Sequence, residues 1–271
     1  MNYLWIDEKN RNSFRSVLPK SFTEGKDKVC FGAYDDDGFV CGALCYRYAN
    51  YQYDILWIYV EEEKRRQGVA TGLLDLLFRI VGKSGEIYPV SALFEPSLEE
   101  SLYGFFMAYS KMETTYSHDR FYVLPREIRG IKIPGTGTKD TLPQEDFFKL
   151  PEAAQKKILY QLEVECNYVV PDFEEWKKNA APELCRVILH NGTLMDLLLV
   201  QKRPDGNLEL SYLYSKYPKG LVELLTEAAW DTESYYPNAK LVFDAVNEES
   251  ASMAKKLFPQ AERVPIYEAE W

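Results

Sequence analysis

Apolar and polar positions follow one another along this chain in a readable order. Residues 3–7 alternate like a short strand, and residues 8–18 read as a polar helix that stops at Pro19. Three strands are expected next: Lys28–Tyr34, Phe39–Tyr48 and the dense β-branched and aromatic run Tyr53–Val60. Asp35-Asp36-Asp37-Gly38 makes the turn between the first two. Apolar residues at 69, 70, 73, 74, 76, 77, 80 and 81 recur with helical spacing, which predicts a helix over Val69–Val81. Ile87–Phe94 reads as a strand, and Ser97–Tyr109 as a helix with Pro96 at its entry. Residues 113–117 and 120–124 read as two closing strands.

The stretch Arg129–Pro143 breaks this pattern. It holds Gly130, Pro134, Gly135, Gly137 and Pro143 and few large apolar residues, as a linker does. Beyond it, helices are expected at 151–166 and 173–180, then strands at 184–190, 193–202 and 208–215. Asn191-Gly192 is a strong hairpin signal between the first two of these strands. A helix over 219–230, a strand over 240–245, a helix over 247–258 and a strand over 263–268 complete the chain. The two halves therefore share one order of elements. Their wording echoes too: Trp57-Ile58-Tyr59-Val60 matches Tyr212-Leu213-Tyr214-Ser215, and Gly72-Leu73-Leu74 matches Gly220-Leu221-Val222. We read a tandem repeat of one α/β domain, with residues 1–128 as the first copy, 129–145 as linker and 146–271 as the second copy.

Composition narrows the chemistry. The 271 residues carry a net charge of −10, which argues against a nucleic-acid binder. There are two histidines, His118 and His190, so a multi-histidine metal site is excluded, and neither lies near a hydrolase G-x-S-x-G turn. Both are expected to be structural. The five cysteines are Cys30, Cys41, Cys45, Cys166 and Cys185, an odd number mostly within apolar segments, as expected of buried thiols in a reducing compartment. Alternation would put Cys41 and Cys45 on one strand face, but no second pair completes a zinc set. The N-terminus has no basic region followed by an apolar core, and no uncharged apolar run is long enough to span a bilayer, so a cytoplasmic protein without membrane contact is expected.

The informative stretch is Val60-Glu61-Glu62-Glu63-Lys64-Arg65-Arg66-Gln67-Gly68-Val69-Ala70-Thr71-Gly72, between a strand and an amphipathic helix. Gly68, Ala70 and Gly72 keep side chains small where the turn enters the helix. The first N–H groups of a helix lack internal partners, the helix dipole adds partial positive charge, and Arg65 and Arg66 add formal charge. Such a loop suits a phosphate or pyrophosphate. It is neither a Walker loop nor a dinucleotide G-x-G-x-x-G.

Arg65-Arg66-Gln67-Gly68-Val69-Ala70 fits Q/R-x-x-G-x-G/A and resembles the acyl-CoA pyrophosphate motif of the GNAT superfamily of N-acetyltransferases. The strand ending in Val60, the acidic residues and the following Leu73-Leu74 are also similar to that family, as is the order of elements before them. The resemblance implies an α/β (α+β) chain of two tandem GNAT-like domains, each a mixed, mostly antiparallel sheet with helices on both faces. It implies acetyl-CoA as acyl donor, no metal, and a primary amine of a small molecule or peptide as acceptor. Ile58, Tyr59 and Val60 would pair with the pantetheine arm; Gln67, Gly68, Val69, Ala70 and Thr71, with Arg65 and Arg66, would hold the pyrophosphate. The second copy lacks the motif: its loop Ser215-Lys216-Tyr217-Pro218-Lys219-Gly220 is shorter, and Pro218 removes an N–H donor. It is expected not to bind CoA in the usual way. Such a protein would be a monomer, as an internal pseudo-dimer, or a homodimer.

The resemblance weakens at the general acid. Many family members place a tyrosine late in the helix after the splayed strand, and that position falls here on Phe106 or Met107. Tyr103, one turn earlier, is the first candidate acid and Tyr109 the second; each is equally readable as core packing. Glu61 or Glu62 is the candidate base, against the reading that both balance Arg65 and Arg66. Asp35–Asp37 could attract a cationic acceptor, or simply form a solvated turn. Two rival readings stand beside the transferase: a CoA-binding or interaction module without chemistry, and an enzyme of another type that shares only the anion loop.

Overall fold

The structure is a computed structural model that describes residues 1–23, 28–49, 51–83, 85, 88–96, 100–131, 142–166 and 173–271. In chain order the elements are β1 (Asn2–Trp5), α1 (Lys20–Thr23), β2 (Lys28–Tyr34), β3 (Val40–Ala49), β4 (Gln52–Val60), α2 (Val69–Lys83), β5 (Val90–Phe94), α3 (Glu100–Ala108), β6 (Glu113–Val123), α4 (Pro125–Arg129), β7 (Gln144–Asp146), α5 (Glu152–Cys166), α6 (Phe173–Lys178), β8 (Arg186–His190), β9 (Thr193–Lys202), β10 (Leu208–Ser215), α7 (Pro218–Tyr235), β11 (Leu241–Ala245), α8 (Glu248–Leu257) and β12 (Glu262–Glu270). Most follow the hydrophobic pattern closely. The polar stretch 8–18 does not: it forms only a 3-10 turn over Arg11–Phe14, with Phe14, Val17 and Leu18 buried. The two short strands expected at 113–117 and 120–124 are one strand, β6. Most of the expected linker, 132–141, lies outside the described residues.

The chain divides into two compact units, Met1–Ser117 with Pro265–Trp271, and His118–Val264. These limits differ from the 1–128 and 146–271 read off the repeat. The first unit takes most of β12 from the far end of the sequence, and the second begins within β6.

In the first unit the strand order is β1-β2-β3-β4-β5-β12. Its first four strands pair antiparallel, whereas β4 and β5 run parallel. Helix α2 buries Val69, Leu73, Leu74, Leu77, Phe78 and Val81 against one face of this sheet. Each such side chain contributes about 1.5–3 kcal/mol. Phe14, Val17 and Leu18 cover the other face. Two β-bulges set which residues face which layer. Leu56 is unpaired between Ile55 (opposite Tyr46) and Trp57 (opposite Cys45), so Tyr53 and Ile55 share the α2 face with Ile58 and Val60, while Trp57 and Tyr59 turn to the other. Cys41 is likewise the extra residue between Val40 and Gly42. It packs on the α2 face and Cys45 on the opposite one, which corrects the single-face expectation.

The second unit orders its strands β6-β11-β10-β9-β8-β7, with β10 and β11 parallel and the other pairs with assigned register antiparallel. Asn191 and Gly192 both have positive φ, 52° and 73°, as a two-residue hairpin turn demands. Leu194, Leu197, Leu221, Leu224, Leu225 and Phe258 lie in its core. The Arg120 guanidinium on β6 makes two 2.7 Å bonds to Asp244, its register partner on β11.

Candidate active site

The candidate site begins where two parallel strands part. β4 and β5 pair only at Tyr53–Val90 and Asp54–Ser91. Beyond that point Ile58, Tyr59 and Val60 pair with Leu44, Ala43 and Gly42 on one side only. Their edge toward β5 is a run of strand backbone able to pair with an extended ligand.

The strand leads into the anion loop. Glu61 N donates to Cys41 O (2.9 Å), and a 3-10 turn follows over Glu62–Lys64. Arg65 Nε donates to Val60 O (3.1 Å), folding the loop back on the strand end. Lys64 Nζ bonds Asp35 (2.8 Å), and Asp35 also accepts from the Asp37 and Phe39 N–H groups. Lys64 thus holds the Asp35 carboxyl below its usual range. Asp35 is committed to bracing the loop against the β2–β3 turn, and is not left to gather a cationic acceptor.

Arg66 and Gly68 adopt left-handed backbone, φ 59° and 80°. The first bond of α2 runs from Gly72 N to Gly68 O (2.9 Å). The N–H groups of Gln67 to Thr71 have no backbone partner among the described residues. Arg65, Arg66, Gln67 and Thr71 are exposed, and Val69 roots the helix end in the core. Gly72 is required for packing: a Cβ there would sit 2.0 Å from the Tyr3 hydroxyl. The helix dipole and free N–H donors meet at the start of α2, with the exposed Arg65 and Arg66 in the loop that leads into it, a combination suited to a pyrophosphate.

The candidate acid–base residues lie in different settings. Tyr109 follows α3 and is buried against Phe78 and Phe105. Its hydroxyl bonds Asp75 (2.9 Å), and burial with that carboxylate pushes it far above a normal phenol. Lys111 bonds the same Asp75 oxygen (2.6 Å). Tyr109 is therefore tied to the outer side of α2. Tyr103 on α3 is half-buried beside Phe94, at the parted end of β5. Phe106 is fully buried and stacks on Phe94 (5.1 Å), so no proton donor stands at that helix position. Glu61 is partly exposed and Glu62 exposed, at the end of β4. His118 Nε2 sits 3.5 Å from Asp244 and His190 lies beside Asn191, both in the second unit.

One residue near the site had no local signal. Tyr267 on β12 pairs with Phe94, and its ring meets Tyr103 edge-on at 5.0 Å. Sequence spacing cannot associate residue 267 with residue 103; only strand register does.

The second unit treats the same place differently. Val60 ends β4 opposite Gly42, and Ser215 ends β10 opposite Asp196. Asp196 therefore stands where the first unit has glycine. It is fully buried, accepts from Tyr217 N (3.3 Å) and leaves Oδ2 without a partner. That oxygen would lie 2.3 Å from a Cβ at Gly220. The start of α7 is thus occupied by the unit's own carboxyl group, and burial pushes that carboxyl up. An acid inside the run Leu194-Met195-Asp196-Leu197 was the sequence signal for it.

These features define a fold with parted parallel strands and an anion loop at a helix N-terminus. Residues 2–126 match the model of the acetyltransferase (GNAT) family. Solved structures similar to the chain include a GCN5-related N-acetyltransferase from Sphaerobacter thermophilus (15% identity, 97% of this chain and 85% of that one, TM-score 0.61). A tandem GNAT protein from the clavulanic acid biosynthesis pathway is similar over 99% of this chain and 98% of its own (11% identity, TM-score 0.64). A putative acetyltransferase from Pyrococcus horikoshii covers 100% and 88% (16% identity, TM-score 0.57). At these identities the likeness is one of fold. No curated protein matches the sequence. Among the described residues, no helix is long and apolar enough to cross a membrane.

Proposed function

We propose that the first unit transfers an acetyl group from acetyl-CoA to a primary amine of a small molecule or peptide by direct attack. The observation that carries this reading is the parted β4 edge ending in the anion loop at the start of α2. Acetyl-CoA supplies an activated acyl thioester. The backbone of Ile58, Tyr59 and Val60 aligns its pantetheine arm; Gln67 to Thr71, with Arg65 and Arg66, hold its pyrophosphate. Glu61 or Glu62 takes the proton of the ammonium, directly or through water. Strand N–H groups near residues 58–60 face the developing oxyanion. As the C–N bond forms and the C–S bond breaks, Tyr103 gives its proton to the departing thiolate. The second unit does not bind acyl-CoA in the usual way, because Asp196 stands in the corresponding place and Pro218 lacks an N–H. Free buried Cys30, Cys41, Cys45 and Cys185 suit a reducing cytoplasm.

The burial of Phe106 favours one rival, a CoA-binding module without chemistry. Thiol release from acetyl-CoA across a broad amine panel separates the two. The transferase reading expects release that depends on an amine; silence across the panel, with CoA bound, supports the binding module.

A further inference from the structure

The last strand of the chain is structurally part of the first unit, and its position has a chemical consequence. β5 pairs with β4 over two residue pairs only, then turns its other edge to β12 over four: Ser91–Glu270, Ala92–Ala269, Leu93–Glu268 and Phe94–Tyr267. Trp271 N donates to Val90 O (3.0 Å), and the Trp271 ring packs edge-on against Phe78 of α2 at 4.9 Å. β12 therefore pairs with β5 from Ser91 to Phe94, through the stretch where β5 has left β4. Tyr267 lies at the open end of this pairing. Its ring is 5.0 Å from Tyr103 and 6.4 Å from Phe94, which is itself 6.4 Å from Tyr103. On the outer side the exposed Tyr116 ring meets Tyr267 edge-on at 6.2 Å.

We propose that Tyr267 is a positioning residue for Tyr103, so that the far end of the chain completes the transferase site of the first unit. The inference rests on the transferase reading with Tyr103 as acid. A helical tyrosine chooses between two common χ1 rotamers, and an edge-on aromatic contact biases that choice by about tenfold. Phe94 supports the Tyr103 ring from the sheet, and Tyr267 closes the side left open by α3. Tyr109 cannot replace Tyr103, since its hydroxyl is held by Asp75.

The test combines kinetics with tyrosine Cζ resonances in full-length protein labelled on that carbon. Tyr267→Ala should lower kcat about tenfold with the KM for acetyl-CoA unchanged, shift the acidic-group limb of the pH–rate profile, and move the Tyr103 resonance. Tyr267→Phe keeps the ring and should restore kcat to within about twofold. Tyr103→Phe should lower kcat about 100-fold or more. An unchanged Tyr103 resonance in a folded Tyr267→Ala protein overturns the positioning role, whatever the activity. A Tyr103→Phe protein with full kcat overturns the acid assignment instead, and equal losses in Tyr267→Ala and Tyr267→Phe overturn the claim that the ring is what matters.

Discussion

Arg66 and Gly68 carry the anion loop in their backbones as much as in their side chains. Both are left-handed, and a Cβ at Gly68 would meet nothing within 4 Å, so only strain opposes a side chain there. Gly68→Ala should cost about 1 kcal/mol in thermal unfolding and weaken acetyl-CoA binding, with little change elsewhere in the fold. Arg66→Ala should weaken the affinity about 10-fold or more, the size of one charge-assisted bond to phosphate, as read by calorimetry. These residues were legible in the sequence because the loop is local: strand, charges, small residues and helix follow within thirteen positions, Val60–Gly72. The neighbouring residues were not. Leu56 and Cys41 are single extra residues in strands, and alternation alone cannot reveal a bulge.

At the scale of elements, strands and helices were readable and their partners were less so. The pattern marked β4, β10 and α2 within a residue or two, yet β6 and β12 each serve the unit opposite to the one their sequence position suggests at one end. The Arg120–Asp244 pair shows how β6 is held to β11. Burial alone would raise Asp244, but the bonds from Arg120 and His118 outweigh it and hold the carboxyl well below its ordinary range. Asp244→Asn should cost the second unit about 3 kcal/mol, because a half-buried guanidinium loses its counter-charge. The sign with pH follows from the depressed value. The pair's contribution is complete above the ordinary carboxylate range and disappears as pH falls below it. The difference in Tm between wild type and Asp244→Asn should therefore shrink below about pH 4; a gap that persists undiminished in acid would rule the account out.

At the scale of the whole chain, the two copies have diverged in charge and in chemistry. Residues 1–135 carry a net charge of −2 and residues 136–271 a net of −8. The near-neutral half holds the anion loop, while the acidic half fills its equivalent place with Asp196. The place of β12 in the first unit has a further consequence. A fragment of residues 1–128 lacks β12, leaving the outer edge of β5 unpaired and Val90, Ala92 and Phe78 without their covering residues. It should show no cooperative thermal transition by near-ultraviolet circular dichroism and no binding of acetyl-CoA; a cooperatively folded, CoA-binding fragment would contradict this. The central claim is that one anion loop, in the first unit, binds the acyl donor. Calorimetric titration of the full-length protein with acetyl-CoA tests it most directly. The account predicts one site per chain, lost on Arg66→Glu. Two sites per chain, no binding at all, or binding indifferent to Arg66→Glu would contradict it.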